Sequence, residues 1–76
     1  MRMTPYRHSP QPTGVLAYRI APEAIEVKFV DGRRYLYNYA VTGAAAVERM
    51  KQLAKEGEGL STFISQHVRD KYAERH

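Results

Sequence analysis

Residues 25–39, Ile-Glu-Val-Lys-Phe-Val-Asp-Gly-Arg-Arg-Tyr-Leu-Tyr-Asn-Tyr, restrict the fold more than any other stretch of the chain. Apolar residues alternate on both sides of Asp31-Gly32, and an Asp-Gly pair between alternating runs predicts a β-hairpin. Tyr35, Tyr37 and Tyr39 recur at period two, so they share one face of the sheet. Two registers compete. A two-residue type I′ loop sets Val27 opposite Leu36 and leaves the tyrosines on the face of Glu26 and Lys28. A three-residue loop, Val30-Asp31-Gly32, with Gly32 left-handed in a G1 bulge, sets Phe29 opposite Arg33, Val27 opposite Tyr35 and Ile25 opposite Tyr37. The second arrangement gathers Ile25, Val27, Phe29, Tyr35, Tyr37 and Tyr39 on one face. Glu26, Lys28, Arg34 and Asn38 take the other, with Leu36 the only large apolar residue among them. A one-residue slip would carry the whole hydrophobic set to the wrong side, so the bulged register is expected. In it the tyrosines belong to the core, with hydroxyls reaching polar partners at the rim. An exposed stacking stripe is the alternative.

The flanking segments extend this hairpin. Val15 to Ile20 alternates as a first strand, and Ala21-Pro22-Glu23-Ala24 is a turn because Pro22 fixes its own φ and donates no ladder hydrogen bond. Pairing Ile20 with Ile25 sets Tyr18 opposite Val27, Leu16 opposite Phe29, and Arg19 opposite Glu26 as an outward charge pair. Gly43 to Lys55 then predicts a helix with Thr42 as N-cap and Gly57 as C-terminal stop; Ala46, Val47, Met50, Leu53 and Ala54 make its apolar stripe. Glu48 is placed to pair with Lys51 or Gln52 on the wet side. After the joint Glu56-Gly57-Glu58-Gly59, a second helix is expected from Leu60 to about Tyr72, capped by Ser61 or Thr62, with a stripe of Phe63, Ile64, Val68 and Tyr72. Residues 73–76 are expected to fray. Residues 1–14, with Pro5, Pro10, Pro12 and no apolar period, read as a flexible tail.

Little in the chain points to catalysis. The 76 residues are enough for one domain, which buries only about 60–65% of its unfolded surface. There is no cysteine, so neither a disulfide framework nor a thiolate metal site is available. His8, His67 and His76 lack metal-ligand spacing, and Ser9, Ser61 and Ser65 have no identifiable histidine and aspartate partners. No metal, no cofactor and no enzymatic activity are expected. No apolar run approaches the ~18 residues of a membrane span. Residues 1–8 lack the apolar core of a signal peptide, and with the missing cysteines this sets the expectation of a cytoplasmic chain. The net charge of +4 permits an anionic partner.

One constellation mixes guanidinium groups with aromatics, the pairing used on single-stranded nucleic acid, where cations meet phosphates and rings meet bases. Arg33, Arg34, Arg69 and Lys71 are its candidate phosphate contacts; Tyr35, Tyr37 and His67 are its candidate stacking residues, provided they reach the surface. No RNA-recognition motif of the RNP type accompanies them.

Residues 15–72 also resemble a KTSC domain, a short module found at the C-terminus of some lysyl-tRNA synthetases and as a stand-alone bacterial protein. The likeness is carried by Leu16-Ala17-Tyr18, by Ile25-Glu26-Val27-Lys28-Phe29-Val30-Asp31-Gly32, by Tyr35-Leu36-Tyr37, by Gly59, and by Phe63-Ile64-Ser65-Gln66-His67-Val68-Arg69-Asp70-Lys71-Tyr72. It departs at Gly57-Glu58-Gly59-Leu60, where the family's Ser-Lys-Gly is missing. The resemblance implies RNA binding only through the family's attachment to the synthetase.

The expected architecture is therefore α+β: residues 1–14 a flexible tail, residues 15–76 a single KTSC-like domain. Its order is β-β-β-α-α, a three-stranded antiparallel β-meander followed by two α-helices packed on one face. The expected function is that of a noncatalytic binding domain with weak, salt-sensitive affinity for RNA. A protein-interaction or self-association module using a sheet edge and Leu36 is a second reading. A small anionic ligand such as a nucleotide, held between sheet and second helix by Tyr18, Tyr37 and His67, is a third.

Overall fold

A computed structural model describes residues 3–5 and 14–76. The central hairpin takes the bulged register. Ile25 faces Tyr37, Val27 faces Tyr35 and Lys28 faces Arg34 between β3 (Ala24–Phe29) and β4 (Arg34–Asn38). The turn closes with Gly32 N donating to Phe29 O and Phe29 N donating to Arg33 O, both at 2.9 Å. Gly32 has φ 92°, the left-handed value a side chain resists, and Asp31 Oδ1 accepts the Arg33 amide at 2.9 Å. Val27 is fully buried and Tyr37 is 1% exposed, so the aromatic face is the core face.

β2 (Val15–Ala21) pairs with β3 as expected at Ile20–Ile25, Arg19–Glu26 and Tyr18–Val27. Leu16 departs from expectation. Ala17 faces Lys28 and Val15 faces Phe29, so Leu16 is the extra residue of a β-bulge. The bulge shifts the pattern by one, burying Val15 completely and leaving Leu16 40% exposed.

The sheet has five strands, not three, in the order β1-β2-β3-β4-β5 and antiparallel throughout. Part of the expected tail forms β1 (Thr4–Pro5), with Thr4 opposite Tyr18 and Pro5 opposite Ala17. The rest of that tail, residues 1–2 and 6–13, lies outside the described residues. The expected frayed end instead forms β5 (Glu74–Arg75), with Ala73 N donating to Leu36 O at 2.6 Å and His76 N to Arg34 O at 2.7 Å. Both additions are two residues long. Backbone hydrogen bonds hold them, and a two-residue strand has no periodicity for a sequence to display.

The helices lie on one face of the sheet. α1 (Ala44–Glu56) presents Val47, Met50, Leu53 and Ala54 to Ile25, Val27 and Tyr37. Its N-cap is Gly43, without a side-chain cap. Thr42, the expected cap, is buried and donates its hydroxyl to Lys71 O, which ties the start of α1 to the C-terminal segment. Gly57 ends α1 at φ 82°, its amide reaching Leu53 O and Ala54 O. The second helix is shorter than expected and of two kinds. α2 (Leu60–Phe63), with Gly59 rather than Ser61 or Thr62 at its N-cap, runs into a π-helical turn at Ile64–Val68. Leu60, Ile64 and Val68, each four residues apart, are its buried line; Phe63 and Tyr72 pack at the core margin.

Candidate functional site

Alternation along the strands decides which candidate residues meet. Arg34 falls on the outer face, away from the helices, opposite Lys28 on β3 and paired through its backbone with His76. Lys28, Arg34 and His76 thus form a row across three strands at the hairpin end. On this face Arg19 Nε is held 3.3 Å from Glu26 Oε1, and within the row itself His76 Nε2 lies 2.9 Å from Glu74 Oε1. Among the described residues, Lys28 and Arg34 have no ion-pair partner. Like charges directly opposite in a sheet repel, so this pair costs the free protein stability. A groove of about 530 Å³ runs beside Arg34, lined by Arg19, Glu26, Arg34 and His76. Arg33, at the turn, has a 63% exposed side chain with Nε 3.8 Å from Asp31, a weak tether.

The aromatic candidates separate from these cations. Tyr37 is core, and burial, reinforced by neighbouring Tyr35 and Tyr72, pushes its hydroxyl pKa well above the ordinary tyrosine value. Its ring is closed to a base. Tyr35 is half-buried on the helix side, edge-on to Phe29 at 5.6 Å and to Tyr72 at 5.0 Å. His67 is exposed and rests on Phe63, with ring centroids 4.7 Å apart. Arg69 borders a cleft between the hairpin turn and α2, and Lys71 is exposed beyond it. The seven candidates are therefore not one surface. Arg34 lies on the outer face of the sheet, Arg33 at its turn, and Tyr35, Tyr37 and Arg69 line the cleft on the inner side. Tyr18 and His67, expected beside Tyr37 in a ligand pocket, are not among that cleft's walls.

Lys28 and His76 complete the cationic row and were not among the residues the sequence singled out. Lys28 was recoverable, because the bulged register puts it opposite Arg34. His76 was not, since its placement depends on β5. Tyr39 makes a separate contact: its hydroxyl donates to Glu48, which raises the tyrosine pKa and, with the Lys51 ammonium, lowers that of Glu48. Among the described residues no cluster of three metal-ligating side chains occurs, and no helix is long and apolar enough to cross a membrane. No protein family, curated protein or solved structure matches the chain.

Proposed function

We propose that this protein is a noncatalytic binding domain, KTSC-like, that holds single-stranded RNA weakly through the outer face of its sheet. The observation that carries the reading is the facing pair Lys28–Arg34, two cations in register with no ion-pair partner among the described residues. A phosphate between them would turn a repulsion into two charge-assisted contacts. Arg33 extends the row along the turn, and protonated His76 would extend it across β5. The buried tyrosines remove base stacking on Tyr37 from the scheme, which leaves backbone contacts and little sequence preference. The resemblance to the KTSC domain supports the same partner through that domain's attachment to a tRNA synthetase. Self-association by strand addition is less favoured, because β1 and β5 cover part of both sheet edges and Leu36 is half-buried beneath β5 pairing.

The test is fluorescence anisotropy of a labelled single-stranded RNA with the full chain, over a salt series, beside Lys28→Ala/Arg34→Ala. Each phosphate neutralised on a single strand contributes a slope of about −0.7 in log K against log salt, so one phosphate held between Lys28 and Arg34 and one on Arg33 together predict about −1.4. The double variant should bring the slope to about −0.7, with weaker binding at every salt. Absence of binding at low salt, or a double variant that binds as the parent does, overturns the reading.

A further inference from the structure

The cleft between the hairpin turn and α2 lies on the opposite side of the sheet from the cationic row, and it has the make-up of a small-molecule site. Its volume is about 400 Å³, within the range of about 300–1,000 Å³ usual for such sites. One wall is aromatic. Tyr35 stacks on Tyr37 at 6.4 Å with 14° between ring planes, and Phe29 and Tyr72 brace it edge-on. These rings are fixed by one another, so the wall exists before a ligand arrives. The other wall is helical. Ser61, Ser65 and Arg69 recur every four residues beside the buried line Leu60, Ile64, Val68, and all three border the cleft with Ile64. The backbone beneath Ser65 is π-helical, a geometry that recurs at functional sites.

The charges at the mouth are asymmetric. Asp31 borders the cleft, yet it is engaged in its own turn: Oδ1 accepts the Arg33 amide and Oδ2 faces Arg33 Nε. Arg69 is exposed and has no ion-pair partner among the described residues. An aromatic wall with the Arg69 guanidinium at its end, unpaired among the described residues, defines the complementary ligand. We propose that this cleft binds a planar ring bearing one anionic group, the ring against Phe29, Tyr35 and Ile64 and the anion on Arg69, with the Ser65 hydroxyl as a second donor. A nucleoside monophosphate and an aryl carboxylate share this chemistry. The site does not rest on the RNA reading, whose cations occupy the other face.

The test is titration of the ¹⁵N-labelled full chain with adenosine and uridine monophosphates and with 2-naphthoate, each beside its uncharged counterpart, adenosine, uridine or 2-naphthamide. Saturable amide shifts are expected at residues 29–31, 35 and 64–69. Whichever anion saturates at lower concentration identifies the source, nucleotide or aryl acid. Arg69→Gln should weaken that anion about tenfold and leave its uncharged counterpart unchanged, as loss of one charge-assisted contact requires. Ser65→Phe, at an exposed position, should fill the cleft and abolish both, while the amides of Val27 and Val47 report an intact core. Shifts confined to Lys28 and Arg34, an Arg69→Gln variant that binds the anions as the parent does, or no saturation by any probe overturns the proposal. RNA affinity lost in Lys28→Ala/Arg34→Ala but retained in Arg69→Gln would keep the two sites separate.

Discussion

Lys51 is 8% exposed, yet its ammonium is fully occupied: Nζ donates to Pro22 O and meets Glu48 Oε2, both at 2.9 Å, and sits 5.7 Å from the Tyr39 ring centroid. The Glu48–Lys51 spacing was readable as a pair. Its burial was not, because the carbonyl that draws the lysine inward belongs to the β2–β3 turn, 29 residues away in sequence. Lys51→Ala should cost about 1–3 kcal/mol in chemical denaturation, and Lys51→Met less, since the stem keeps its packing. Equal losses would place the energy in the ammonium alone. Tyr37 makes a second prediction, in pH. Burial raises its folded pKa, so its contribution to stability is complete below the unfolded value of about 10 and declines as pH climbs toward the folded value. Alkaline unfolding should begin above about pH 10, with one phenolate appearing only as the fold is lost, and Tyr37→Phe should flatten the decline. A Tyr37 phenolate that forms while the chain is still folded at about pH 10 would contradict this.

At the scale of elements, legibility followed periodicity. The β3–β4 register could be read because one of two slips segregates apolar from polar residues with Leu36 the sole exception and the other does not, and Asp31-Gly32 supplies the turn that the better slip needs. The α1 stripe was equally visible at spacings of three and four. The β2 bulge was not: Val15 and Leu16 are both apolar, and alternation alone cannot say which of two adjacent apolar residues turns inward. The π-helical turn was hidden for a related reason, since a line of residues at spacing four suits both α and π geometry. The bulge gives opposite consequences for neighbouring positions. Val15→Ala should destabilise by about 1–3 kcal/mol through the cavity it opens, whereas Leu16→Ala should stay within about 0.5 kcal/mol. A reversed order, read from denaturation midpoints, would restore the unbulged pairing of Leu16 with Phe29.

The whole molecule divides its charge and its apolar surface between the two sides of one sheet. The helix side holds the core and the cleft. The outer side keeps Lys28 and Arg34 facing each other across the strands, with no ion-pair partner for either among the described residues. Nothing in the fold requires that pair, since Arg19–Glu26, a directly facing pair across β2 and β3, shows that opposite charges fit a cross-strand position on this face. A facing pair that costs stability fits a surface that an anionic partner would neutralise. Lys28→Glu separates the two roles. It converts the facing pair with Arg34 from repulsive to attractive and lowers the net charge by two, from +4 to +2. Cross-strand pairs are worth about 0.2–1 kcal/mol, so thermal unfolding should shift upward by the equivalent of about 0.5–1 kcal/mol. RNA affinity should fall at the same time by more than in Lys28→Ala, because the new carboxylate repels phosphate as well as removing its partner. Greater stability with unchanged RNA affinity would move the RNA surface elsewhere on the molecule. Lower stability would mean that Lys28 and Arg34 do not repel, and the argument for an anion between them would lose its ground.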